Sequence, residues 1–355
     1  MNYIVVNATA LDKSGALSIL RQFIANIPDD KYKWLIFISE KITLTSQNNN
    51  IRLEPICGVK PIHKRLWWDA YGLKNWLRNN KIEPLAAISL QNTGFRVGNN
   101  VPSFIYYHQP LPFFNCSWNP LKKAERSYWF YKYIYPYFVK LFLTKSTRIF
   151  VQLDSIKNGF SRHYHHPLNL IDVFSPAVVK PTTHQSKPDK TGALTLFYPA
   201  MGYFYKNHRI IANALNQITR EVEVYFTTEN LPECRQDDRI HWIGQISYDK
   251  VCQMYSNCDG LVFPSYIETY GLPLLEAAMA GMPIISADLP YSREVLDGYE
   301  GVTFVKYDNV ADWSNAINSI EKGCRFNPID ISRRPGWKEL INQIKRFIPN
   351  QNEER

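Results

Sequence analysis

Apolar residues along this chain fall into two alternating rhythms. Residues 2–8 (NYIVVNA) form a short β-branched run, residues 12–15 (DKSG) have turn chemistry, and residues 16–27 (ALSILRQFIANI) return apolar side chains at helical spacing. That order predicts a strand, a glycine-bearing loop and a helix. Further apolar runs at 33–39, 84–90, 103–108 and 147–153 predict strands, separated by stretches long enough for helices, as in a parallel α/β sheet. Residues 176–192 (PAVVKPTTHQSKPDKTG) are rich in Pro, Lys and Thr and poor in large apolar groups, which predicts a linker. Beyond it the alternation resumes. Strands are expected at 194–200, 221–228, 239–244, 260–265 and 282–287, and helices at 207–218, 247–258, 272–281 and 309–320. The expected fold class is therefore α/β with two Rossmann-like domains, 1–178 and 179–335. Residues 336–355 form a C-terminal helix and tail, a candidate for packing back on the first domain, and the final residues, 350–355, are expected to fray.

Composition supports two cores, because 355 residues at 45% hydrophobic content exceed one typical domain. The six cysteines (Cys57, Cys116, Cys234, Cys252, Cys258 and Cys324) lie far apart with no C-x-x-C pair, as expected of reduced thiols in a cytosolic protein. The N-terminal residues have neither a basic nor a long apolar region, and no run approaches the ~18 apolar residues of a membrane span. A protein that is neither secreted nor membrane-spanning is expected. Charge is uneven: residues 1–180 hold 23 Lys or Arg against 10 Asp or Glu, within a net +9 for the whole chain. Such a basic half suits nucleic acid or an anionic membrane. Residues 60–80 and 118–148 interleave Lys and Arg with Trp and Tyr, a composition that favours the membrane interface. Some side chains of these stretches are expected in the core instead, Phe138, Leu141 and Phe142 first among them.

The segment with the clearest chemistry is 263–285 (FPSYIETYGLPLLEAAMAGMPII). A strand ending near Ser265 leads through a loop into a helix beginning near Pro273. Glu268 lies on the loop and Glu276 in the first turn or so of the helix, so both carboxylates can line the carboxyl edge of the sheet. Between them the backbone N–H groups of Tyr270, Gly271 and Leu272 belong to a helix N-terminus, where a diphosphate is favoured. An isolated Glu pair is more often a solvated loop carboxylate and a first-turn residue favoured by the helix dipole. The surrounding residues alter that balance. Glu268, Gly271, Leu272, Pro273, Glu276, Ala277, Gly281 and Pro283 together resemble the signature of family 4 glycosyltransferases of the GT-B type, two Glu separated by seven residues around a G-L-P turn.

The resemblance extends over most of residues 1–320. It implies that Gly244 sits beside the nucleotide and that Lys206, near a helix start, matches the family's phosphate-binding lysine. Many members carry an arginine about six residues before that lysine. This chain has Ala200 there, with His208 and Arg209 as candidate substitutes. His108, followed by Gln109, resembles a histidine turn directed at donor-sugar hydroxyls, and Gly15, in the first strand-to-helix loop, resembles a glycine that admits the acceptor and the diphosphate. His163, His165 and His166 are expected on the surface, with no metal.

What the family implies is transfer of a sugar from a nucleoside diphosphate sugar to an acceptor hydroxyl, with retention, in a crevice between the two domains. Glu268, His108 and Lys206 would be the catalytic set, and Gly15, Gly244, Tyr270, Gly271, Leu272 and Glu276 the donor-binding set. No cofactor and no metal are expected, since the chain has no D-x-D. The expected partners are a nucleotide sugar, a lipid-linked oligosaccharide acceptor and an anionic membrane surface at the cytoplasmic face, not nucleic acid. A GT-B nucleotide-sugar epimerase or a glycogen-type synthase would share the diphosphate site. A nonenzymatic nucleic-acid-binding protein would explain the charge but not the two glutamates.

Overall fold

The computed structural model describes residues 3–349, except 60, 99, 179, 182–191 and 235. Most of the expected linker, and the tail 350–355, lie outside the described residues. The chain divides into two units, one of Met1–Ala177 with Arg334–Arg355 and one of Val178–Arg333.

The first unit holds seven parallel strands: β1 (Tyr3–Ala8), β2 (Lys33–Ser39), β3 (Ile51–Ile56), β4 (Pro84–Ser89), β5 (Ser103–Tyr106), β6 (Arg148–Val151) and β7 (Ile171–Val173). They run in the order β3-β2-β1-β4-β5-β6-β7. The middle strands β1, β2 and β4 are apolar on both faces because helices cover both, as parallel sheets require. On one face Ile4, Phe23, Trp34 and Tyr106 pack with Trp337, Leu340, Ile341 and Ile344 of the last helix, Trp337–Arg346. Trp337 Nε1 donates to Gln22 Oε1 at 2.8 Å, and Lys345 pairs with Asp30. Strands β3 and β7 fall outside the apolar runs. Both are edge strands, and β3 (IRLEPI) alternates with charge and carries a proline, which an edge tolerates.

The second unit holds six parallel strands: β8 (Leu194–Tyr198), β9 (Val222–Phe226), β10 (Ile240–Trp242), β11 (Gly260–Phe263), β12 (Ile284–Ala287) and β13 (Val302–Val305). Their order, β10-β9-β8-β11-β12-β13, reverses between β8 and β11. That reversal is a switch point, where loops diverge and ligands settle. The two loops of interest follow these two strands.

In the first unit the helical segment after residue 61 widens to i→i+5 bonding over Trp68–Gly72, and this turns Asp69 into the carboxyl edge of the sheet. Asp69 is fully buried. Its carboxylate accepts from Asn7 Nδ2 at 2.7 Å, Gln91 Nε2 at 3.1 Å and Thr93 Oγ1 at 3.4 Å, with Arg65 Nε 3.8 Å away. Arg65 is itself held by Gln91 O, Thr93 Oγ1 and Tyr135 OH at 2.7, 2.9 and 3.2 Å. Burial pushes the Asp69 carboxyl up to about 7 from an ordinary 3.8, against the opposing pull of Arg65 and the amides. The folded state therefore binds this proton more readily than the unfolded chain does, and this group's contribution to stability is lost as pH rises from about 4 to about 7. Asp69→Asn should flatten that decline. Melting curves of both proteins across this range check it, and parallel pH profiles would contradict it.

Candidate functional site

The second unit gathers the sequence-predicted residues at the carboxyl edge of β8 and β11. Beyond β8 the chain turns through Phe204–Lys206, and Asn207, at φ 57°, leads into the helix His208–Ala214. Beyond β11, Ser265 is buried and the loop runs on to Gly271. Three bonds hold these loops, the first of them directly between the two. Tyr266 N donates to Tyr205 O at 3.0 Å, Tyr198 OH donates to Lys206 O at 2.8 Å, and Tyr291 OH holds Ser265 O at 2.5 Å. Lys206 and Glu268 consequently meet as an ion pair, their side chains 16% and 14% exposed. Lys206 Nζ also lies 5.5 Å from the Tyr205 ring centroid and 5.9 Å from that of Phe263. A lysine held this way is a cation at low exposure with one neutralising partner, so an incoming anion competes with Glu268 for it.

Gly271 caps the helix Leu272–Met279 at φ 86°, a left-handed conformation that glycine adopts without the penalty a side chain would bring. The chain thereby turns sharply from the Glu268 loop into the helix, leaving first-turn N–H groups unpaired as at any helix start. Glu276 is the fifth residue of this helix, at the end of the first turn where the sequence placed it, and it is buried. Tyr248 OH donates to its Oε1 at 3.1 Å and Tyr255 OH to its Oε2 at 2.8 Å. Burial raises the Glu276 pKa, while the two tyrosines pull it back. A carboxylate has about four acceptor positions, so each oxygen retains room for one more hydrogen bond. Sequence reasoning missed both tyrosines. Their signal is a spacing of seven on the helix Tyr248–Asn257, which puts both hydroxyls on one face.

Gly244, at φ 64°, ends the turn after β10, three residues before Ser247 caps that helix by accepting from Lys250 N at 3.4 Å. Of the substitutes suggested for the missing arginine, His208 is a core side chain. It packs 4.8 Å from Tyr198 and 5.0 Å from Phe226, and burial lowers its pKa to about 4, so it brings no positive charge at neutral pH. Arg209 is exposed.

In the first unit, His108 follows β5. Its backbone N–H donates to Asn92 Oδ1 at 2.6 Å, and its Nε2 donates to Leu90 O at 3.0 Å, leaving Nδ1 as the acceptor. Burial, helped by the charge of Arg65, lowers its pKa to about 4, so the ring is neutral at physiological pH. Gly15 is not in the loop. It is the second residue of the helix Ser14–Ala25, and a Cβ there would meet nothing within 4 Å, so packing alone does not demand glycine. His166 is not on the surface either, since it is buried with Nε2 2.8 Å from Thr147 O. Leu141, expected in the core, is exposed.

Residues 185–326 match the family model of glycosyl transferases group 1, a span that includes Lys206, Gly244, Glu268, Gly271 and Glu276. The O-antigen chain mannosyltransferase RfbU of Salmonella typhimurium is 23% identical over 198 residues, 54% of this chain and 56% of that protein. The chain thus spans about half the length of that curated relative. Among solved structures, the lipopolysaccharide outer core galactosyltransferase WaaB superposes with a TM-score of 0.64 at 16% identity, covering 98% of this chain and 95% of WaaB. HepE of Anabaena, in complex with UDP and glucose, superposes with a TM-score of 0.67 at 13% identity, covering 98% and 99%. At such identities the likeness is one of fold, and the fold is GT-B: two Rossmann-like α/β units.

Proposed function

We infer that this chain is a retaining glycosyltransferase that moves a sugar from a nucleoside diphosphate sugar to a hydroxyl of a lipid-linked glycan, in O-antigen or other surface-polysaccharide synthesis. The observation that carries this reading is the Lys206–Glu268 pair, set just ahead of a glycine-capped helix with a buried carboxylate at Glu276, inside the segment resembling group 1 glycosyl transferases. The name of RfbU supports the surface-glycan setting.

In this reading Lys206 and the amides of Tyr270, Gly271 and Leu272 neutralise the departing diphosphate, electrostatic stabilisation of the kind that dominates many enzymes. Glu276 accepts the two ribose hydroxyls on the positions its tyrosines leave open. Glu268 and the neutral His108 orient the donor sugar, and Gly15 and Gly244 leave room for substrate. The bond from the anomeric carbon to the diphosphate breaks, the bond to the acceptor oxygen forms on the same face, and the acceptor's proton passes to the leaving phosphate oxygen. The anomeric configuration of the product, read by NMR, tests this. Retention is expected, and inversion would overturn the mechanism.

No metal is required when a lysine and a helix N-terminus meet the diphosphate. Excess EDTA should leave most of the activity, whereas complete loss restored by manganese would contradict this.

The acceptor's lipid keeps it in the bilayer, and the first unit carries a surface suited to reaching it. Leu121 is 87% exposed beside exposed Lys122, Lys123 and Arg126, and Trp67, Tyr71 and Tyr137 are exposed as well. Among the described residues no helix is long and apolar enough to cross a membrane. Basic residues near anionic lipid contribute about 1 kcal/mol each. Reversing Lys122, Lys123 and Arg126 to Glu should lower vesicle binding roughly a hundredfold while sparing transfer to a soluble acceptor analogue. Undiminished sedimentation with anionic vesicles at low salt would show that this face does not meet the bilayer.

A further inference from the structure

Glu229 follows β9 by three residues, at the same carboxyl edge of the second sheet as Gly244. A Cβ on Gly244 would lie 3.0 Å from Glu229 Oε1, so glycine at this point lets the carboxylate lie across the backbone of the β10 turn. Glu229 is exposed, and among the described residues it has neither a hydrogen-bond donor nor a cation beside it. Four residues beyond Gly244, Tyr248 reaches Glu276. Glu229 thus lies against one end of the segment from Gly244 to Tyr248, and Glu276, the carboxylate assigned to the ribose, is bonded at the other.

Water solvates this exposed carboxylate in the free protein, but a nucleoside diphosphate bound here would cover it and meet its charge, which carries a cost. The cost is offset only by a ligand that returns hydrogen bonds to both carboxylate oxygens, which accept and do not donate when ionised. Guanine alone among the common bases presents two adjacent donors on one edge, N1–H and the N2 amino group. Uracil presents a single N3–H between two carbonyl oxygens, which would face Glu229 lone pair to lone pair. Adenine and cytosine each pair one amino donor with a ring nitrogen acceptor. The same carboxylate thus attracts one base and rejects the others.

We propose that Glu229 reads the donor base and that the nucleotide carried by this protein's donor is guanosine diphosphate. This rests on the reading of the second unit as a nucleotide-sugar site. The test is calorimetric titration of the full chain with GDP, UDP and ADP, repeated on Glu229→Gln. GDP should bind at least about tenfold more tightly than UDP or ADP, because charged hydrogen bonds made to one base are absent for the others. In Glu229→Gln that preference should fall by about tenfold, partly through a gain in UDP affinity as the repulsion disappears. Equal or tighter binding of UDP or ADP by the unmodified protein, or an unchanged preference in the variant, would overturn the assignment to Glu229. Failure of all three diphosphates to bind would instead overturn the underlying reading of the site, and the base assignment with it.

Discussion

Lys206→Ala should lose turnover by roughly two to three orders of magnitude while its apparent affinity for donor changes far less, the usual result of deleting one charge-stabilising donor. The reason lies in when its charge matters. In the substrate the diphosphate is esterified, and Lys206 retains Glu268 as a partner at low exposure. In the proposed reaction negative charge on the leaving oxygen grows only as the sugar departs, so the lysine would stabilise the transition state more than the ground state. Lys206→Arg should restore only part of the rate, since a planar fork does not reproduce a point charge held near Tyr205 and Phe263. Steady-state rates at saturating donor decide the matter. Wild-type turnover in Lys206→Ala would remove it from the mechanism.

Glu276→Ala should weaken nucleotide binding about a hundredfold or more, since two hydrogen bonds to a charged acceptor contribute about 1.5–3 kcal/mol each. Loss of the carboxylate also strands Tyr255 OH, a buried donor whose acceptor it is, so some stability should be lost as well. Glu276→Gln separates the two effects, because it keeps the side chain's shape and one acceptor oxygen while losing the charge. Burial raises the Glu276 pKa, so nucleotide affinity of the unmodified protein should begin to fall at a higher pH than an ordinary glutamate would allow. Calorimetry at neutral pH gives the direct answer, and affinity unchanged within about twofold would exclude the ribose role.

The parts of this molecule that sequence makes visible are those whose cause is local. Strand β2 coincides with the apolar run 33–39 because both its faces are covered, and the turn from Glu268 through Gly271 to Glu276 depends on residues within nine positions of each other. Strand β13 and the helix Pro290–Val295 went unseen, being short and lacking a distinct apolar period. Contacts across long separations are less legible still. Lys206 and Glu268 are 62 residues apart, as are Asn7 and Asp69, and nothing in the sequence pairs Asp69 with Gln91 and Thr93. The aromatic stretches show why composition misleads in detail. Trp68 and Tyr135 are buried while their neighbours Trp67 and Tyr137 are exposed, a division set partly by i→i+5 turns at Trp68–Gly72 and Phe130–Ile134 that shift the helical faces.

Transfer of sugar from a nucleotide donor to a membrane-held acceptor can be measured outright. Its most direct test supplies the purified protein with radiolabelled nucleotide sugars and membranes bearing lipid-linked glycans, then counts label in the lipid fraction beside nucleoside diphosphate released. One donor should give label and diphosphate in equal amounts, both dependent on the acceptor. Diphosphate released without any labelled lipid, or neither product from any donor, would contradict the account.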